Sequence, residues 1–203
     1  MTKETFIFIG SSGSGKGTQV ALLREEVLKR SPETPIFYLQ TGQHFREFIK
    51  ADSLAAQIAK SAIDSGGRAP DFLAMYIWSK IFVENITGDE HLIIDGSPRS
   101  LNEAVNLDIA LKFFRRERPV VIYIKVSKEW SIEHLLSRAQ KESRADDTRE
   151  SIDRRMAWFE SDVIPAVEKF RRDRDYDFIE VDGEQSIEKV HRDIMTQVYG
   201  SHL

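Results

Sequence analysis

Close to its amino end the chain reads FIFIGSSGSGKGTQVALL, Phe6 to Leu23. Four apolar residues, Phe6–Ile9, run straight into a loop with three glycines before Lys16 and one after it. Glycine loses more backbone freedom on folding than any other residue, so this many in one connection require a compensating gain. Gly10 to Lys16 satisfies G-x-x-x-x-G-K, with Gly17 directly after the lysine and Thr18 next. Between a buried strand and a helix, such a loop turns successive backbone N–H groups into one concavity, and the helix N-terminus adds partial positive charge. Bulky side chains would block an anion's approach, and Lys16 supplies a point charge for the outer phosphates of a polyphosphate. The stretch predicts a phosphate-binding strand–loop–helix, with Gly13, Ser14, Gly15, Lys16, Gly17 and Thr18 against a nucleoside triphosphate.

Outward from the loop, short apolar runs alternate with helical segments. Strands are expected at Phe6–Ile9, Ile36–Leu39, Leu92–Ile94, Val120–Val126 and Phe178–Val181. These runs are near-continuous rather than alternating, which suits a parallel sheet covered on both faces. Helices are expected at about 15–30, 42–50, 53–65, 70–86, 100–116, 129–141, 148–172 and 186–198. In the long one, Ile152, Met156, Phe159 and Val163 recur at three- and four-residue spacing and form an apolar stripe. Strand–helix alternation predicts an α/β domain of five parallel strands with right-handed crossovers. Two stretches exceed a minimal strand–helix unit: about 42–72, and the charge-rich 138–148.

The 203 residues suffice for one sizeable domain, and 41% hydrophobic with 31% charged residues is ordinary globular composition. A net charge of −4 gives no basic footprint for nucleic acid. No apolar run approaches the length of a membrane span, and the N-terminus lacks the shape of a signal peptide, so a cytoplasmic protein is expected. With no cysteine, disulfides, thiolate nucleophiles and cysteine-ligated zinc are excluded. The five histidines form no recognisable site, and Trp78, Trp130 and Trp158 read as packing residues on helices.

Further segments narrow the kind of phosphate chemistry. The loop ends in Gly15-Lys16-Gly17-Thr18-Gln19; Thr41-Gly42-Gln43-His44-Phe45-Arg46 and Gly66-Gly67-Arg68-Ala69-Pro70-Asp71 follow. Then come Asp95-Gly96-Ser97-Pro98-Arg99, the series Arg138, Arg144-Ala145-Asp146-Asp147 and Arg155, and Asp182-Gly183 after the last strand. In this order and spacing the chain resembles the adenylate kinase and nucleoside monophosphate kinase family over essentially its whole length. The resemblance implies a P-loop NTPase fold with three parts. The core is 1–40, 73–137 and 148–203, a helical monophosphate-binding insert takes 41–72, and a short lid takes 138–147. It implies transfer of the γ-phosphoryl group of ATP to a nucleoside monophosphate, with Mg²⁺ and without zinc, by a monomer with no nucleic-acid or membrane partner.

By that resemblance Lys16, Arg99, Arg138, Arg144 and Arg155 are catalytic, and Arg138 and Gly183 join the loop in binding ATP. Thr41, Gly42, Arg46, Arg68, Ala69, Gly96, Arg99, Glu103, Arg144 and Arg155 would hold the monophosphate. The chemistry agrees independently. Phosphoryl transfer spreads charge over equatorial oxygens, and arginine is always charged, planar and bidentate to phosphate. Arg115, Arg116, Arg118, Arg171 and Arg172 fall outside the ordered set and read as solvated surface. Asp95, ending an apolar strand, and Thr18 are the metal candidates, acting through water because Gly17 replaces the hydroxyl usually next to the lysine. Asp146 and Asp147 read as hinge residues or arginine partners in the lid, with an N-cap before the following helix as the alternative for Asp147. Five residues between Arg138 and Arg144 leave no room for a long lid.

Four positions depart from the resembled pattern. Gln43 stands for aspartate, Ser97 for phenylalanine, Arg68-Ala69 for Leu-Val, and Glu103 for a base-reading glutamine. The lid also lacks a second arginine; Lys141-Glu142 lies near that place. Glutamine both donates and accepts, whereas a carboxylate only accepts. Guanine offers N1–H and an amino group side by side, so Glu103 tilts the residue chemistry toward GMP while the family favours AMP. Asn102 and Asn106 flank the site and could substitute for it. Glu103→Gln is expected to raise the preference for AMP. The acceptor stays open among AMP, GMP, CMP and UMP. A kinase for another small acceptor and a degenerate nucleotide-binding module are the rival readings; Arg46 and Arg99 argue against the first.

Overall fold

A computed structural model describes residues 3–64, 67–142 and 148–200, the side chains of 138–142 excepted. Five strands, β1 Thr5–Ile9, β2 Ile36–Gln40, β3 His91–Asp95, β4 Val120–Lys125 and β5 Asp177–Asp182, form one sheet. Its order is β2-β3-β1-β4-β5, and every pairing is parallel. All five strands lie within two residues of the expected runs. From β1 the chain fills one side of the sheet with β2 and β3 and then the other with β4 and β5, so the carboxyl end of β1 sits at a topological switch point. A crevice opens there in sheets of this kind.

The helices are α1 Lys16–Arg30, α2 Thr41–Phe48, α3 Leu54–Asp64, α4 Asp71–Asn85, α5 Leu101–Phe113, α6 Lys128–Glu142, α7 Arg149–Trp158, α8 Ile164–Arg172 and α9 Ile187–Tyr199. Alternate residues of β1 face opposite layers, as the two-residue period of a strand requires. Ile7 and Ile9 pack in a core with Trp78, Phe82, Leu107 and Phe170, while Phe6 and Phe8 pack with Val20, Leu23, Val190 and Ile194. The segment between β2 and β3 adds a small cluster of its own, Phe45, Ala59, Ala69, Leu73, Ala74 and Ile77.

The expected helix over 148–172 is interrupted. Residues Phe159–Val163 form a π turn between α7 and α8. Pro165 is the second residue of α8 and has no N–H to give to the carbonyl one turn back, where its ring would also crowd. One extra residue in the turn absorbs both problems and keeps the stripe buried, since Ile152, Met156, Phe159 and Val163 all face the interior. The α7 cap is Thr148, whose side chain accepts from the Ser151 N–H, not Asp147, which lies outside the described residues. Arg116 corrects a second expectation. It is buried rather than solvated, donating Nη1 to the Glu90 carbonyl at 2.6 Å and Nη2 to the Glu90 carboxylate.

Candidate active site

The loop 10–15 carries the chain from the carboxyl end of β1 into α1. Gly13 and Gly15 both have φ of +84°, a region side chains rarely adopt, and a methyl on Gly13 would also lie 2.7 Å from the Ser131 carbonyl. Ser11 Oγ bonds Ser131 Oγ at 2.7 Å, both buried, which pins the loop to α6. Lys16 donates Nζ to the carbonyls of Gly10 at 2.6 Å and Ser11 at 2.8 Å, folding its ammonium back over the loop. The buried Ser14 Oγ has no hydrogen-bond partner among the described residues. A cradle of amides with a poised ammonium and an unsatisfied hydroxyl is built for an anion.

A cleft of about 240 Å³ opens at the switch point. Gly10, Ser12 and Lys16 line it from the loop, Gly42, Phe45, Arg46, Ile63, Gly67 and Ala69 from the β2–β3 excursion, and Gly96, Pro98 and Arg99 from the end of β3. Arg155, Trp158, Phe159 and Val163 complete it from α7 and the π turn. Four cationic side chains from four separate segments therefore share one wall-to-wall space. The Arg99 guanidinium donates Nε to the Gly96 carbonyl at 2.8 Å. Burial holds its pKa below the ordinary arginine value; Glu103 and Asp95 oppose this, while Arg68 and Arg46, as like charges, add to it. Cations crowded and desolvated in this way are relieved by a bound anion. Arg155 is steadied by its own helix, donating Nη2 to Ser151 Oγ at 3.1 Å.

Other expected site residues sit elsewhere. Gly13, Ser14, Gly15, Gly17 and Thr18 belong to the loop and the first turn of α1, beside the cleft rather than on its lining. Gly183 follows β5, where an added methyl would lie 2.6 Å from both Ile124 and Val126. Asp95 is buried, and its Oδ2 accepts from the Tyr38 hydroxyl at 3.0 Å. Thr41 is buried with its hydroxyl 2.9 Å from Ser97 Oγ. Arg68 does not line the cleft. Its Nε donates to Asp162 at 3.0 Å and its Nη1 to Asp71. Burial weighs against its charge, but Asp71 and Asp162 together hold its pKa above the ordinary value. Asn102 donates to Asp71 at 3.3 Å, and Asn106 turns back to the Asn102 carbonyl at 2.9 Å. The Arg138 side chain, Arg144, Asp146 and Asp147 lie outside the described residues.

Glu103 departs furthest from its expected place. It is neither a base acceptor on the cleft wall nor a surface residue, but fully buried with both carboxylate oxygens bonded inside the protein. Trp158 packs against the core as expected and also lines the cleft. It lies three residues past Arg155 on one helical face, a spacing that would have flagged it.

Comparisons with known proteins bear on the family. The model of the family described as "Adenylate kinase" matches residues 8–175. A curated adenylate kinase of Azobacteroides pseudotrichonymphae is 29% identical over 189 residues, 93% of this chain and 94% of that one. Those of Porphyromonas gingivalis and Prochlorococcus marinus are each 31% identical, over 82% and 83% of this chain and 81% and 85% of their own. A glycine loop on the central strand, a ring of cations converging on it and a family match over most of the length have one consistent explanation: the chain belongs to the adenylate kinase family.

Proposed function

We propose that this chain transfers the γ-phosphoryl group of ATP to AMP, giving two molecules of ADP, with Lys16, Arg46, Arg99 and Arg155 as its phosphate ligands. The observation that carries the reading is the convergence of those four cations on one cleft beside the glycine loop. Two bound nucleotides bring many negative charges together, and the transferring group spreads charge over its equatorial oxygens. Fixed guanidinium and ammonium groups in a site that excludes water stabilise that charge without reorganising. The attacking oxygen of AMP is already anionic, so no general base is required. Lys16 bridges the two substrates, Arg46 and Arg99 hold the acceptor phosphate, and Arg155 reaches the transferring group. Arg138 and Arg144 join them on the motif alone.

The segment 41–72 serves as the monophosphate flap of a single-domain enzyme, and 138–147 as a short lid. Closing both excludes water, so that ATP is not hydrolysed. The donors near the cleft suit Mg²⁺, because Thr18 and Asp95 offer hard oxygens. No cluster of three or more acidic or histidine side chains able to hold a metal occurs among the described residues. That is the pattern of an ion carried mainly by phosphates and water. When bound, Mg²⁺ neutralises charge on the β- and γ-phosphates. Thr18 and Asp95, the latter held by Tyr38, would orient its waters. The reading includes a cytoplasmic monomer with no nucleic-acid or membrane partner; among the described residues no helix is long and apolar enough to cross a membrane.

With both Glu103 oxygens engaged, the carboxylate argument for guanine loses its support, and AMP is the acceptor. A coupled assay of ADP formation with AMP, GMP, CMP, UMP and dTMP tests this, and AMP should turn over fastest. Lys16→Met should lower kcat about 100-fold or more. It should cost at most about 1 kcal/mol of stability, because its bonds to the Gly10 and Ser11 carbonyls stay within one short loop. Retained turnover in that variant would refute the role of Lys16.

A further inference from the structure

Glu103 is the third residue of α5, with no exposed surface, and it joins four segments of the chain. Its Oε1 accepts from Trp78 Nε1 of α4 at 3.1 Å and from Ser97 Oγ at 2.9 Å. Its Oε2 accepts the backbone N–H of Arg99. Its own N–H is capped by Ser100 Oγ at 3.1 Å. Ser97, donating to Glu103, is left to accept from the Thr41 hydroxyl at 2.9 Å, and Thr41 opens α2 at the root of the flap. Two of these bonds fall on residues 97 and 99, within the turn that leads from Gly96 to the phosphate-facing Arg99.

We propose that Glu103 is a positioning residue: its buried carboxylate locks the 96–100 turn so that Arg99 faces the monophosphate, and through Ser97 and Thr41 fixes the flap root to the same anchor. This rests on the assignment of Arg99 to AMP made above. Two departures from the resembled pattern then belong to one arrangement, which Trp78 completes. Ser97 in place of phenylalanine supplies a hydroxyl, Glu103 in place of glutamine supplies two acceptors, and Trp78, 2% exposed, fills the space beside them and donates. A base reaching for Glu103 would have to displace donors that already satisfy it. Burial holds the Glu103 carboxyl above its ordinary value, although the Arg99 N–H, the Ser97 hydroxyl and the Arg99 charge pull it down.

Glutamine is nearly isosteric but has one acceptor oxygen and an NH₂ group. The Trp78 and Arg99 N–H groups are donors that cannot be reversed, so Glu103→Gln sets a donor against a donor. In that variant the KM for AMP should rise about tenfold or more, with the KM for ATP within about twofold of wild type. Ser97→Ala, which removes one bond to Glu103 and the link to Thr41 but leaves the Trp78 and Arg99 bonds to the carboxylate, should raise the KM for AMP by a smaller factor. Thermal melts give the folded fraction of each. A joint rise of both KM values tracking lost folded protein would overturn the proposal, as would a Glu103→Gln enzyme with unchanged or lower KM for AMP and a shifted AMP-to-GMP ratio. If Glu103→Gln does not fold, Ser97→Ala decides, and an unaltered KM for AMP there overturns it. Arg99→Lys runs in parallel. If it leaves both KM for AMP and kcat intact, the site assignment falls and this inference with it. If it is impaired beside an unaltered Glu103→Gln, the positioning role alone falls.

Discussion

Arg46, Arg99 and Arg155 line an open cleft, whereas Arg116, between α5 and β4, has a side chain only 3% exposed and lies against a Glu90 side chain 5% exposed. Sequence order set the first group apart, because those arginines sit in recognisable segments. It could not separate Arg116 from Arg115 and Arg118, because burial of a charge depends on a partner 26 residues away. The Glu90 carboxyl is pushed up by burial, but Thr87, Arg116 and the Gly88 N–H outweigh this and hold it below its ordinary 4.5. The fold therefore releases the Glu90 proton more readily than the unfolded chain does. Its stabilising contribution is complete above 4.5 and is lost as pH falls through the lower folded value. Glu90→Gln leaves Arg116 buried without a counter-charge and should cost about 3–5 kcal/mol near neutral pH. Urea melts of both proteins across the acid range should show the gap closing as pH falls. A pH-independent gap would mean that shape, not charge, is what Glu90 supplies.

The π turn between α7 and α8 carries Asp162, and Asp162 carries Arg68, so an irregular element of the core is tied to the end of the 41–72 excursion. Arg68 and Asp162 side chains are 18% and 32% exposed, and pairs of this kind contribute little to global stability, about 1 kcal/mol or less. The effect of the pair is local. Asp162→Asn should leave the melting temperature nearly unchanged while amide exchange quickens in α3 and at residues 67–69, with α1 unaffected as the internal reference. Equal exchange in both proteins would show the tie to be inert. The elements themselves were legible from sequence because buried parallel strands read as unbroken apolar runs and helices as stripes. The π turn was not, since Ile152, Met156, Phe159 and Val163 keep helical spacing across it and only Pro165 betrays the strain. Arg68 and Glu103 were misplaced for a related reason. Motif position brought each to the right neighbourhood, but the direction of a side chain follows from partners on other elements: Asp162 for one, Trp78 and Ser97 for the other.

At the scale of the whole molecule, the order β2-β3-β1-β4-β5 brings the ends of β1 and β3 side by side, and with them the glycine loop and the Gly96–Arg99 turn. The excursion after β2 and the α7–π segment then close the remaining walls. Four cations lining one cleft exert a mutual repulsion at neutral pH, although the chain's net charge is −4. A polyanion without any base should relieve it. Inorganic tripolyphosphate at 100 times its Kd is expected to stabilise the protein by about 2.7 kcal/mol, because it binds the folded state alone. For a domain of this size that is a rise in melting temperature of about 5–10 °C. The rise should shrink between low and high salt, since the cleft is open to screening counterions, and it should be smaller in Arg46→Ala and Arg99→Ala than in a variant of the exposed Arg172. Differential scanning fluorimetry with tripolyphosphate at two ionic strengths measures all of this without turnover. A melting temperature that ignores tripolyphosphate, or rises equally in the Arg99 and Arg172 variants, would mean that the cations do not act on one chain of phosphates.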